Sequence, residues 1–403
     1  MTKLTQTQEL LLELTASSLF GKQLNMPADV DWQELLTECN SQAVTLQIYP
    51  VVQAYLPDAV KQQWEQACFR TAGNNARVEW EHSELHKLMS ENDIPYVAMK
   101  GCVSAAYYPD PSARTLGDVD FLVDAGDLEK AALQLEKAGF NPHPDGDDTI
   151  HIAYHRARSI WEMHWEVNGI PNGEVGDQIR EYFKNMVADA NIYKSAGSVY
   201  MAPTTFHHGL ILLLHTAEHM INTGIGLRHL CDWAVFAAAL DEREFTEIFE
   251  EKLKSVGLWR FAQLLTQVST EYLGCPEKKW AKDMKDADLK PIIADILAGG
   301  NFGRKNSQRI NQAKLMTNKS RGTVDDTPAF LQLVYTMNEK ARSGFPASRK
   351  CLLLLPIGWL YVGARHLLRI ATGKRPKIKL SEMISGANER KEIYKQFKLF
   401  SQE

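Results

Sequence analysis

The feature that most restricts this 403-residue chain is Gly117-Asp118-Val119-Asp120-Phe121-Leu122-Val123. Two carboxylates one residue apart open an apolar run, and a short apolar run after a turn residue reads as a buried strand. Side chains alternate faces along a strand, so Asp118 and Asp120 point the same way. Like charges on one face repel unless a cation lies between them. Hard divalent ions such as Mg²⁺ use carboxylate oxygens together with substrate phosphates. The pair suits metal-assisted phosphoryl or nucleotidyl transfer.

Upstream, Lys100-Gly101 follow the apolar stretch 94–99, IPYVAM. That order predicts a strand ending in a backbone turn that opens a helix, VSAAYY, before the turn-rich PDPSARTLG. Arg114 sits in this loop with Pro109, Pro111 and Gly117. A permanently charged guanidinium there either serves a phosphate or pairs with Asp110 or Asp118 to hold the loop. Downstream, SIWEMHWEV sets Glu162, His164 and Glu166 on one strand face and Trp161, Met163 and Trp165 on the other. A carboxylate from this neighbouring strand would complete a metal-binding set. His164 either touches substrate or ligates a softer ion. The plain alternative is a two-faced strand with its polar side in water.

Gly101 after a strand, then Asp118-x-Asp120 on the next, resembles the nucleotidyltransferase superfamily related to DNA polymerase beta. More narrowly, KG…YYPDPSAR…GDVDFLV…ALQLEKAGF and the later WEMHW resemble a bacterial branch of uncharacterised nucleotidyltransferases. The likeness runs over roughly residues 80–240, with its densest motifs in 99–166. It implies that Asp118, Asp120 and Glu162 are catalytic and hold Mg²⁺ or Mn²⁺. It also implies that the turn at Lys100 and Gly101 receives the triphosphate of an NTP. The superfamily has Gly-Ser where this chain has Lys100-Gly101, which leaves Ser104 or the Lys100 amine for the serine's role. With Arg114, His164 and Arg228, these make the expected nucleotide-binding set.

The fold class expected is α+β: a nucleotidyltransferase-type mixed β-sheet with helices, flanked by N-terminal and C-terminal helical regions. Residues 1–90 read as helical from apolar spacings of three and four, with Asp29 or Asp31 capping the helix at Trp32. Residues 91–203 form the expected catalytic domain. In it Asp127 starts a helix that Gly139 ends, HIAYH is a strand, and KSAGSVYMAP a last strand. Residues 204–273 read as a helical domain that, by analogy with the family, closes over the nucleotide or acceptor. Residues 274–340 read as polar and loop-rich, containing a long loop with a short helix. Residues 341–403 read as a basic, apolar helical segment.

Two stretches admit other chemistry. His215-Thr216-Ala217-Glu218-His219 fits the H-x-x-E-H spelling of inverted zinc peptidases, since histidines four apart share a helix face. A histidine helix packed beside the acidic cleft explains the same letters. Arg228 and Asp232 lie four apart in GIGLRHLCDWAVFAAAL and pair with each other or reach the substrate. Near the end, no acidic residue occurs between Glu339 and Glu382, while Arg342, Arg349, Lys350, Arg365, Arg369, Lys374, Arg375, Lys377 and Lys379 do. The apolar run CLLLLPIGWLYVGA within this stretch is short for a membrane span; with its basic flanks it suits either a membrane-surface helix, giving a peripheral membrane contact through 341–380, or a helix docked on the acidic body of the same protein.

A net charge of −5 argues against general nucleic-acid binding. Six cysteines without a CxxC pair resemble neither a disulfide framework nor a zinc ribbon. The N-terminus has no signal-peptide pattern, so the expected location is the cytoplasm, with or without membrane association. The reaction expected is transfer of a nucleoside monophosphate from an NTP to an unknown hydroxyl-bearing acceptor, releasing pyrophosphate. The alternative is a non-catalytic module that keeps the fold to bind a nucleotide or partner.

Overall fold

The computed structural model describes residues 3–143, 150–195, 197–282, 284, 286–306, 308–318, 323–324, 327–344, 354–372 and 380–401. Four helices lead in: α1 (Gln6–Phe20), α2 (Trp32–Gln42), α3 (Thr45–Val52) and the 34-residue α4 (Asp58–Glu91). Thr5 and Gln8 cap α1 reciprocally, and Asp31 accepts from the amides of Gln33 and Glu34 at the head of α2.

A five-stranded sheet follows, with spatial order β1-β2-β5-β4-β3. Its strands are β1 (Val97–Ala98), β2 (Val119–Leu122), β3 (Asn141–His143), β4 (His151–Arg156) and β5 (Ser159–His164). Helix α5 (Gly101–Ala105) lies between the first two strands, and α6 (Leu128–Lys137) covers the route to the third. β2 and β5 are parallel, while the other neighbours run antiparallel, so the sheet is mixed. One face packs on α4 and α6 through Val78, Leu85, Met89, Phe121, Leu135, Phe140, Trp161 and Met163. Burying the apolar side chains of alternate strand positions there turns Asp118, Asp120 and Glu162 to the opposite face.

The expected last strand is instead a separate hairpin, β6 (Asn191–Ser195) and β7 (Ser198–Ala202), outside the sheet and following α7 (Glu174–Phe183). The turn inside KSAGSVYMAP splits that run in two. Beyond it, α8 (Thr205–Asn222), α9 (Leu227–Ala239), α10 (Glu242–Ser255) and α11 (Trp259–Leu273) build the larger helical core with α1–α3.

The stretch 274–340 is more ordered than its polarity predicts. It holds α12 (Leu289–Gly299), α13 (Arg309–Met316) and most of α14 (Ala329–Gly344). Asp288 caps α12, and Ile292, Ile293, Ile296 and Leu297 bury one face of that helix. Arg309 donates to Asp295 at 2.6 Å, and Tyr394 of the C-terminal helix α16 (Leu380–Lys395) donates to the same carboxylate at 2.6 Å. The apolar run near the end enters α15 (Leu355–Ala371). No helix among the described residues is long and apolar enough to cross a membrane. Arg349, Lys350, Lys374, Arg375, Lys377, Lys379 and Cys351 of the basic segment lie outside the described residues.

Candidate active site

The parallel pairing of β2 with β5 sets Asp120 directly beside Glu162 and Leu122 beside His164. Neighbouring strands lie about 4.8 Å apart, so the two carboxylates share one patch of the sheet. Asp118, at the entry to β2, joins them in the lining of a cavity of about 310 Å³. Ligand atoms of Asp120, Glu162 and His164 all lie within 4.8 Å of one another.

Lys100 donates to Asp120 Oδ1 at 2.8 Å, and His164 Nε2 lies 3.1 Å from the same oxygen and 3.5 Å from Glu162 Oε2. Burial would raise the Asp120 pKa, but Lys100 and His164 outweigh it and hold the carboxyl well below the usual range. Burial likewise opposes protonation of His164, yet its bonds to Asp120 and Glu162 raise its pKa overall. Asp118 has no such compensation. Burial first, then repulsion from Asp120 and Glu162, pushes it up to about 6 against the pull of Lys100. The three acids therefore carry more negative charge than Lys100 and His164 together can balance. That excess fits a bound divalent cation.

Lys100 itself is held at φ 54°, ψ −110°, outside the regions L-residues favour. Gly101 follows it, and Ser104, buried with an unpartnered Oγ, faces the cavity one turn later.

The helical half closes the other side. Arg114 pairs with neither Asp110 nor Asp118. Its Nε and Nη2 donate to the two oxygens of Asp232 on α9, at 2.8 and 2.6 Å, and Tyr108 donates to Asp232 Oδ1 at 2.7 Å. The Arg228–Asp232 pairing predicted within α9 is thereby replaced, because Asp232 turns to the buried guanidinium of the loop. Arg228 instead donates to the Thr115 carbonyl at 3.0 Å and stands 5.4 Å from the Phe302 ring. Burial and repulsion from Arg114 lower its pKa. Both arginines line the cavity, and both brace the loop that carries Asp118.

Glycine at 169 brings the two halves together. It sits at φ +84°, and a Cβ there would lie 2.6 Å from the Leu214 carbonyl oxygen of α8. The segment leaving β5 thus lies against α8, which presents His215, Glu218 and His219 to the cavity. His207 and His208 do not share this wall: His207 lies near the Tyr182 carbonyl, and His208 stacks on Tyr107. Glu166, past the end of β5, pairs with Arg180 at 2.8 Å and takes no part in the acid set.

Every residue predicted for the site except the fully buried His164 lines this one cavity, and His164 touches it through Asp120. Sequence reading gave no site role to His151, Asn168, His229 and Phe302, which also line it. His151 and Asn168 flank β5 and could have been suspected from their nearness to Glu162. Phe302 comes from a distant turn and carries no local signal.

The mixed sheet with flanking helices is a fold of nucleotidyltransferase type. Over residues 28–274 the sequence matches the family described as "Uncharacterised nucleotidyltransferase", and the chain belongs to that family. The match takes in the sheet, the helices α8 and α9 that close the cavity, and α10 and α11 beyond them. No curated protein matches the chain.

Proposed function

We propose that this protein transfers a nucleoside monophosphate from an NTP to a hydroxyl-bearing acceptor, with release of pyrophosphate. The observation that carries this reading is the acid set shared by two parallel strands, Asp118 and Asp120 with Glu162, in the cavity of a nucleotidyltransferase-family chain. The likeness to the DNA polymerase beta superfamily supports the same assignment of roles. Asp118, Asp120 and Glu162 would hold Mg²⁺ or Mn²⁺, which would supply charge neutralisation at the triphosphate and acidify the attacking hydroxyl.

The remaining roles belong to the chain. Lys100 keeps Asp120 ionised and adds positive charge where the phosphates enter. Gly101 and the Ser104 hydroxyl face those phosphates. His164 orients Asp120 and Glu162 from beneath. Arg228, with one Nη bonded and its Nε unpartnered, directs charge into the cavity. In the reaction the acceptor oxygen bonds to the α-phosphorus and the bond to the β-phosphate oxygen breaks. Pyrophosphate leaves with that electron pair, and the hydroxyl proton passes to a carboxylate of the set.

The five described cysteines are free and buried, which fits a reducing cytoplasm. Exposed Ile357, Leu360 and Leu368 on α15 support a peripheral membrane contact.

The test is transfer of label from α-³²P-ATP, -CTP, -GTP and -UTP in cell extract with Mg²⁺ or Mn²⁺. Label should pass to an acceptor with the intact chain and not with Asp118→Asn/Asp120→Asn. Metal-dependent nucleotide binding without transfer would replace the enzyme by a binding module. Transfer undiminished in the double variant would refute the roles given to the acids.

A further inference from the structure

The wall of α8 opposite the acids carries a second group of ligating side chains. His215, Glu218 and His219 occupy positions i, i+3 and i+4, so they share one helix face. One ligand atom from each lies within 4.8 Å of the others. Among the described residues, only this trio and the Asp120–Glu162–His164 group meet that condition, and both border the same cavity.

The chemistry of the two groups differs. The acid set offers mainly carboxylate oxygens, which suit hard ions. The α8 group offers two imidazole nitrogens and one carboxylate, the donor set of zinc and its neighbours. Its second shell is built as well. His219 Nδ1 lies 3.1 Å from the Thr223 hydroxyl, whose own hydrogen points to the Gly224 carbonyl at 3.4 Å. When the hydroxyl oxygen accepts from Nδ1–H, the lone pair on His219 Nε2 is free for a ligand.

A separate observation points to a missing partner. His229 on α9 is 4 % exposed, and neither of its ring nitrogens makes a hydrogen bond of good geometry. Its ring lies 5.6 Å from that of His215, 6.0 Å from that of His219 and 5.0 Å from that of Phe302. His215 Nδ1 is also unpartnered. Buried polar atoms left without partners are costly, and several gathered at one wall of a cavity are available to an occupant.

We propose that His215, Glu218 and His219 form a site for a divalent transition-metal ion of the zinc class, separate from the acid set across the cavity. Three protein ligands leave a coordination position open toward the cavity. On the transfer reading given above, that position receives the acceptor while the acids hold the nucleotide. The site itself rests only on α8 and α9. The H-x-x-E-H letters thus describe a binding wall of the nucleotidyltransferase cavity.

Cobalt is a suitable probe, because its visible absorption reports coordination directly. Chelator-treated full-length protein should take up Co²⁺ with intense low-coordinate bands that saturate at one equivalent in that site, and Zn²⁺ should displace it. His219→Ala and Glu218→Gln should abolish those bands, and Thr223→Val should weaken binding by about 10–100-fold. Asp118→Asn/Asp120→Asn should retain them. Thermal melts of each variant without metal establish that it folds, and Thr223→Val keeps every ligand if the alanine variant does not. Failure to bind cobalt, equal binding by wild type and Glu218→Gln, or loss only in the acid variant would overturn the site. Label transfer with Mg²⁺ is read separately. Cobalt bands without transfer would sink the transfer reading alone, and transfer without bands would sink the metal site alone.

Discussion

Replacing Asp118 with Asn should make the metal-free protein more stable while removing its activity. The folded state holds this carboxyl near pKa 6, whereas an unfolded chain lets it ionise near 3.8. At a given pH between these values the folded state binds more protons, so stability falls as pH rises through this window. The full difference of about two pKa units corresponds to about 3 kcal/mol against folding above pH 7, an upper bound because some charge is screened. Asn is close in size and cannot ionise, so it avoids that cost. In urea unfolding of chelated protein, variant and wild type should match near pH 4 and diverge between pH 4 and 6. Above pH 7 the gap should stay constant. Mg²⁺ should close the gap by stabilising wild type alone, since a ligand of the folded state adds stability by mass action. A variant of equal or lower stability at pH 8, or a gap that ignores pH, would refute the account of Asp118 as an uncompensated buried acid.

Two further substitutions separate binding from folding. A methyl at Gly101 would meet Leu116 Cδ2 at 3.6 Å and Arg114 Nη1 at 3.7 Å, both ordinary contacts. Gly101→Ala should therefore melt within about 1 kcal/mol of wild type, yet bind a fluorescent NTP more weakly if, as proposed, the turn at Gly101 receives the phosphates. Arg114→Lys loses the two-pronged contact with Asp232 and leaves a buried carboxylate partly unpaired. It should lower unfolding free energy by about 3 kcal/mol by denaturant titration, with the charge conserved.

The local parts of the site were legible in the sequence because their geometry is short-range. Asp-x-Asp fixes two side chains on one strand face whatever the rest of the chain does. The alternation in SIWEMHWEV likewise places Glu162 with His164, and Trp161 with Met163 in the core. The partner of Arg114 was not legible. Asp110 and Asp118 are near in sequence, but Asp232 lies 118 positions away and meets Arg114 only because α9 packs on the loop. The order in 274–340 was hidden for the same reason. Its polar letters include Arg309 and Asp295, which are satisfied by each other and by α16 instead of by water. The split of KSAGSVYMAP into a hairpin follows from Gly197-Ser198, a local turn signal that a single-strand reading passes over.

The cavity gathers several unfavourable terms in one place. Lys100 sits in a backbone region that costs about 1–3 kcal/mol for an L-residue. Asp118 is buried with too little positive charge, Ser104 and His229 are buried without good partners, and Arg228 is buried facing Arg114. The surrounding core could have removed each of these by an apolar or neutral replacement, and it tightly fixes the elements that bear them. Their charges also fall in complementary places: excess negative charge on the sheet wall, arginines at the joint of sheet and helices, and lone-pair donors on α8. A triphosphate carried by a divalent ion is negative at one end and cationic at the other, and it would relieve the first two imbalances together. Relief on binding of that kind predicts that nucleotide plus Mg²⁺ stabilises the protein by more than the sum of the two added singly. Additive shifts would mean that the two ligands occupy unconnected sites.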